Sequence, residues 1–227
     1  SGLEEVVRLA LSPDGAQLYA PGRKSNAIVT LSRDPATGQL AFVRAQNKDA
    51  PGLLRLIRPS GIVLSSDGAP VYVTARDGNA VIVLDRNASA GDPDFGKLTV
   101  KASYVDGLAG ISGIRGAFGL ALSPNGQQLY VAAGTDHSVV RFDRGTGGSL
   151  VQRQVWKHGD PGLHGLRGAH SVVVAPNGKE VFVTGAEDDS LTVFDRATGG
   201  AQAGSLSVHR TLFKGDGGLN HLSIPGQ

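Results

Sequence analysis

The chain has 227 residues, enough to bury a sizeable core as one or two domains. Its 33 Gly and 11 Pro beside 40% hydrophobic residues point to many turns between short strands rather than to disorder. A net charge of +2 with no basic run gives no reason to expect nucleic acid, and zero Cys excludes disulfides, a thiolate nucleophile and a Cys-based metal centre. No apolar stretch approaches the roughly 20 residues that a bilayer-spanning helix needs, so no membrane span is expected. Met is absent even at position 1, and the sequence reads as a processed or excised product with Ser1–Gly2 as a cleavage scar.

In chain order, the first element is the apolar run "VVRLALS" (6–12), which ends at a tight turn closed by Gly15. The same turn glycine returns at Gly68, Gly126 and Gly178, at spacings of 53, 58 and 52. Four residues after each glycine stands an aromatic: Tyr19, Tyr72, Tyr130 and Phe182. Sixteen after come Leu31, Leu84, Phe142 and Phe194; eighteen after come Arg33, Arg86, Arg144 and Arg196. An internal repeat of this length, held at three offsets, governs the fold.

Each copy reads as four strands. In the third, "FGLALS" (118–123) runs into the turn "PNG", where Asn and Gly tolerate a left-handed backbone. "QLYVAA" (128–133) and the alternating "VVRFDR" (139–144) follow, and then the more polar "SLVQRQVW" (149–156), as suits an outer strand. The second and fourth copies supply "KLTVKASY" and "SLSVHRTL" at the same place. Units of about fifty residues with four antiparallel strands are the mark of a β-propeller, in which each blade covers the next. The expectation is an all-β protein, one β-propeller domain over 1–227 with blades at about 6–50, 57–106, 115–158 and 167–214 and a tail at 215–227.

"AHSVVVAPNGKEVFV" and "LALSPDGAQLYA" resemble the Ser-Pro-Asp-Gly…Tyr-Val pattern of lactonase-type (YVTN, 6-phosphogluconolactonase-like) propeller repeats. The resemblance covers nearly the whole chain and rests on turn and core positions. It implies a seven-bladed ring, whereas four complete units are present here. In the tail, "NHLSIPG" (220–226) resembles a further innermost strand and aligns His221 with His170. The chain therefore reads as a compact four-bladed ring, as part of a larger ring, or as a half-ring completed through its blade edges by a second copy; the surplus strand favours an incomplete arc.

The inter-blade loops "DAPGLLRLIRP" (49–59), "DGLAGISGIRG" (106–116) and "DPGLHGLRG" (160–168) share an early Asp, recurrent Gly-Leu and a closing arginine: Arg58, Arg115 and Arg167. One reading makes these arginines blade-to-blade joints, since recurring positions are nearest-neighbour interface terms. The other brings them to the mouth of an axial channel, where guanidinium forks favour a carboxylate or phosphate. His170 occupies a position that holds Val7, Ser60 and Phe118 in the other blades. It is either a channel-lining histidine bonded to backbone or, as the resemblance implies, a group that acts with Arg115 or Arg167 to polarise a lactone carbonyl or activate water.

The ligand-binding candidates are thus Arg58, Arg115, Arg167, His170 and His221, with His170, Arg115 and Arg167 the catalytic candidates. The turn residues Glu187 and Asp188 do not read as a paired acid. His137, His158, His164 and His209 lack metal-ligand spacing, so no metal or cofactor is expected. "DPDFG" (92–96) begins like a calcium loop but lacks the later ligands and reads as a turn. Regular positions without an asymmetric catalytic set point to a non-catalytic binding or scaffold module of a larger bacterial exported or surface protein, with a protein or small anion as partner. The alternative is a lactonase-like hydrolase or cyclase acting on an anionic sugar lactone or muconolactone.

Overall fold

The computed structural model describes residues 2–68 and 70–218. His221 and "NHLSIPG" lie outside the described residues. Among the described residues, sixteen strands form four antiparallel sheets, each a meander in chain order. Blade 1 holds β1 (Ala10–Leu11), β2 (Gln17–Gly22), β3 (Ala27–Arg33) and β4 (Leu40–Asn47). Blade 2 holds β5 (Pro59–Leu64), β6 (Pro70–Ala75), β7 (Ala80–Arg86) and β8 (Leu98–Val105). Blade 3 holds β9 (Ala117–Leu122), β10 (Gln128–Ala133), β11 (Ser138–Arg144) and β12 (Leu150–Lys157). Blade 4 holds β13 (Ala169–Val174), β14 (Glu180–Gly185), β15 (Ser190–Arg196) and β16 (Leu206–Phe213). The expected all-β, four-bladed architecture is what the chain forms. Blades 1 and 2 make one compact unit and blades 3 and 4 another, with the turn 146–149 counted in the first.

The repeated offsets mark packing positions. Tyr19, Tyr72 and Tyr130 are fully buried on their second strands. In the first unit Tyr19, Ile28, Leu53, Leu56, Ile82 and Leu84 share one core cluster. In the second, Tyr130, Val139, Leu163, Leu166, Val181 and Phe194 share another. The recurrent leucines of the inter-blade loops, Leu53/Leu56 and Leu163/Leu166, thus bury against the sheets on either side, which removes from water the apolar area that dominates folding.

In blades 1, 3 and 4 the recurring arginine at the end of the third strand staples its own turn. Arg33, Arg144 and Arg196 donate through Nη1 to the carbonyls of Gly15, Gly126 and Gly178 at 3.4, 2.5 and 2.7 Å. Arg196 also reaches blade 3, donating from Nε to Tyr130 Oη at 2.9 Å and from Nη2 to Gln128 Oε1 at 2.5 Å. Arg86 instead pairs with Asp14 of blade 1. Burial pushes the Tyr19 phenol up to about 12, against the pull of Arg86.

A second repeated device lies in the outer strands. The pairing of third and fourth strands skips one residue between Thr30 and Leu31, Val83 and Leu84, Arg141 and Phe142, and Val193 and Phe194. The bulged residues of blades 2, 3 and 4 are Lys101, Arg153 and His209. Each reaches back to the third-strand Asp of its own blade: Asp85 at 3.4 Å, Asp143 at 3.0 Å and Asp195 at 3.1 Å. In blade 1 the same places hold Val43 and Ser32. A bulge re-aims a side chain, and here it aims a base at an acid.

Blade 1 departs from expectation in its inner strand. Of "VVRLALS" (6–12), Ala10–Leu11 pairs with β2, and Val6 adds an isolated bridge to Gly22. Blades 2 and 4 carry Thr74 and Thr184 on their second strands, whose hydroxyls accept the inner-strand amides of Gly61 and Ser171 at 2.8 and 3.0 Å. Pro21 stands at that place in blade 1 and has neither hydroxyl nor N–H to offer. "DPDFG" is a turn, as expected: Asp92 Oδ1 accepts the Asp94 amide at 2.7 Å, and Asp94 pairs with Lys97 at 2.8 Å.

Candidate functional site

Every blade is entered through a left-handed corner. Glu5, Arg58, Gly116 and Gly168 hold it, with φ of 61, 55, 69 and 61°. The corner carbonyl accepts an amide from the turn between second and third strands: Arg23 to Glu5 at 3.3 Å, and Arg76 to Arg58, Gly134 to Gly116 and Ala186 to Gly168 at 3.1 Å each. The corner amide donates to the preceding blade's turn, Arg58 N to Asn26 Oδ1 at 2.7 Å and Gly168 N to His137 Nδ1 at 2.9 Å. Asn26 and His137 are themselves left-handed, with φ of 49 and 53°. His137 therefore does in blade 3 what Asn does in blade 1, a role its sequence position did not disclose.

This geometry corrects the alignment of the three loop arginines. Arg115 and Arg167 precede the corner, whereas Arg58 is the corner. Arg115 donates from Nε to Asp136 Oδ1 at 2.8 Å and from its amide to Oδ2 at 2.9 Å. Hydrogen bonding to Asp136 holds that guanidinium more firmly protonated than an ordinary arginine. The amide of Arg167 donates to Asp188 Oδ2 at 3.0 Å, and its Nε lies 3.9 Å from Asp188 and from Glu187. Asp188 is thus used across the loop rather than within its own turn. Both arginine side chains stay more than half exposed. Arg58 pairs more loosely, at 3.7 Å with Glu5 and 3.8 Å with Asp77.

His170 is two residues past its corner, in a bulge where the pairing of β13 with β14 shifts between Ala169 and Val172. The bulge takes it out of the ladder and leaves it half-buried. Its ring lies against that of Phe118, the same position of blade 3, with centroids 3.7 Å apart at 32°. Gly119 allows this approach: a Cβ there would sit 2.5 Å from the His170 carbonyl oxygen. Arg115 and Arg167 lie three residues before Phe118 and His170, so both belong to the same strand entrances as the stacked rings.

Nearby loops bring in histidines that sequence spacing had set aside. His158 Nδ1 is shielded from solvent and lies 3.2 Å from Asp188 Oδ2, an ion-pair distance without good hydrogen-bond alignment. The rings of His158 and His164 meet edge-on at 6.1 Å. Among the described residues, no group of three or more His, Asp or Glu is placed to hold a metal ion.

Residues 4–105 match the model of the lactonase, 7-bladed beta-propeller family. The lactonase-type resemblance therefore holds, in sequence over blades 1 and 2 and in architecture over all four. Among solved structures, the chain is similar to a candidate 6-phosphogluconolactonase from Bacteroides fragilis NCTC 9343, at 21% identity and TM-score 0.68, covering 92% of this chain and 55% of that one. It is similar to the periplasmic gluconolactonase of Pseudomonas aeruginosa, at 24% identity and TM-score 0.68, covering 92% and 54%. A Lactobacillus plantarum protein matches at 16% identity and TM-score 0.71, covering 92% and 57%. At these identities the likeness shows the fold. The chain spans about half the length of these structures. No curated protein matches the sequence.

Proposed function

We propose that this lactonase-type chain contributes to a site that opens an anionic sugar lactone by hydrolysis. The observation that carries the reading is the family match over blades 1 and 2, joined by a likeness to gluconolactonase structures across nine-tenths of the chain. The expectation of a non-catalytic scaffold module gains no support from either comparison.

The chemistry needs a base, a water and a cation for developing negative charge. His170 supplies an imidazole that takes a proton from water as the oxygen attacks the lactone carbonyl, and returns it to the ring oxygen as the acyl C–O bond breaks. The product is the open hydroxy acid, and every atom of lactone and water is retained in it. Arg115 or Arg167 stabilises the oxyanion that forms on the carbonyl oxygen, as preorganised cations do in such steps. Asp136 and Asp188 hold these arginines at the strand entrances.

The test is ring opening of gluconolactone, 6-phosphogluconolactone and muconolactone, followed by pH-stat against the spontaneous rate. Turnover above that rate is expected, with His170→Ala lowering it at least ~100-fold while the melting temperature stays nearly unchanged. If the wild-type chain opens none of the three above the blank, the reading is wrong.

A further inference from the structure

The left-handed corner is where blades 1 and 2 part company with blades 3 and 4. An L-residue there suffers a Cβ–carbonyl clash that glycine avoids. Blades 3 and 4 use Gly116 and Gly168, and the residues bonded across to them are the small Gly134 and Ala186. Blades 1 and 2 place Glu5 and Arg58 at the corner and Arg23 and Arg76 across from them. Four positions that require nothing larger than a methyl group thus hold four long charged side chains, two of them against a backbone penalty. Packing does not ask for this substitution, and residues kept in left-handed conformations cluster at functional sites.

The charges converge. Arg23 Nη1 lies 3.1 Å from Glu5 Oε1, Arg58 Nη2 lies 3.7 Å from the same oxygen, and Arg58 Nη1 lies 3.8 Å from Asp77 Oδ2. Burial is the main reason that Arg23 holds its proton less firmly than an ordinary arginine; Glu5 and Asp77 work against that, while Arg58 and Arg76 add to it. Two guanidiniums, those of Arg23 and Arg58, therefore meet two carboxylates within the first unit, and Arg76 is held beside them by the bond of its amide to the Arg58 carbonyl. Glu5 is brought there by backbone: Ser25 Oγ donates to the Gly2 carbonyl at 2.7 Å, and Lys24 N to the Glu4 carbonyl at 3.2 Å. Its own side chain stays 40% exposed.

We propose that Arg23 and Arg58 form a binding site for a carboxylate or phosphate oxyanion, and that the Glu5 carboxylate is its built-in competitor. Guanidinium forks bind such groups through paired charge-assisted hydrogen bonds. The solvent-accessible contact of Glu5 with Arg58, at 3.7 Å, is weak enough to be displaced by an anion that engages two forks at once. The inference does not rest on lactone chemistry: a chain inactive on every lactone would still bind.

The experiment titrates the 227-residue chain with inorganic phosphate and, separately, with gluconate, by calorimetry at low ionic strength. Glu5→Gln keeps the side-chain length and removes the competing charge, and is expected to bind roughly fivefold more tightly than wild type, the equivalent of one displaced exposed ion pair. Arg58→Gly installs the residue that blades 3 and 4 already use at the corner. It should fold at least as stably as wild type and bind roughly tenfold more weakly, having lost one fork. The anion bound more tightly by Glu5→Gln identifies the ligand as phosphate-like or carboxylate-like. Equal affinities of wild type and Glu5→Gln, or an Arg58→Gly that binds as wild type does, would overturn the proposal.

Discussion

In the first tight turn, the carboxylate of Asp14 serves three donors at once. Burial would raise its pKa, but hydrogen bonds from Ser12 Oγ, the Ala16 amide and Arg86 outweigh that and hold it at about 2, against an ordinary 3.8. A carboxyl group with a lowered folded-state pKa contributes stability above its unfolded pKa, and that contribution drains away as pH falls from about 4 to about 2. The side chain is 46% exposed, so the effect is screened and stays below about 1 kcal/mol. Asp14→Asn should leave the turn intact, because Asn125 and Asn177 fill the same place in blades 3 and 4, accepting amides from Gln127 and Lys179. Urea midpoints measured from pH 5 to pH 2 should therefore fall more steeply for wild type than for Asp14→Asn below about pH 4. Parallel curves would remove Asp14 from the account.

At the scale of elements, the two blades of each unit are joined by a loop that inserts two leucines and hangs its corner amide on the preceding turn. In the second unit that acceptor is His137 Nδ1. Asn performs the same task at position 26 and tolerates the same left-handed backbone. His137→Asn should therefore leave the melting temperature within about 2 °C of wild type, whereas His137→Gly keeps the backbone, leaves the Gly168 amide without its partner and costs about 1 kcal/mol. A loss of equal size in both variants would mean that the imidazole packs rather than accepts. The strands, the turn glycines and the buried aromatics were legible in the sequence, because propensity and period are local properties. The corner was not. "IRP" and "IRG" look alike as text, yet the left-handed residue is Arg58 in one loop and Gly116, one place past Arg115, in the other. Likewise nothing local links Asp85 to Lys101 or Asp195 to His209; the outer-strand bulge creates those pairs. His170 was visible as an odd residue in a packing position, but the ring it faces follows from the close approach that Gly119 permits.

At the scale of the whole molecule, burial at equivalent positions tells covered faces from bare ones. The first outer-strand leucine is 3% exposed in blade 2 and 6% in blade 4, at Leu98 and Leu206, where each sits in the core cluster of its unit. The same leucine in blade 1, Leu40, is 52% exposed, and Phe42 beside it is 66% exposed. In blade 4 Val173 is 56% exposed, and Phe182 is half-buried where Tyr19 and Tyr130 are sealed. Apolar faces of this kind drive association because covering them releases the water that hydrates them. We infer that the 227-residue chain self-associates through these faces, since the repeat makes the face that follows a blade complementary to the face that precedes one. Sedimentation at micromolar concentration should give a mass above 23.4 kDa. Leu40→Gln with Phe42→Gln should shift it toward the monomer without altering the far-ultraviolet circular dichroism, since neither side chain contributes to the core of its own unit. A wild-type chain that sediments as a monomer at every concentration would show that the bare face of blade 1 does not find its complement on a second copy.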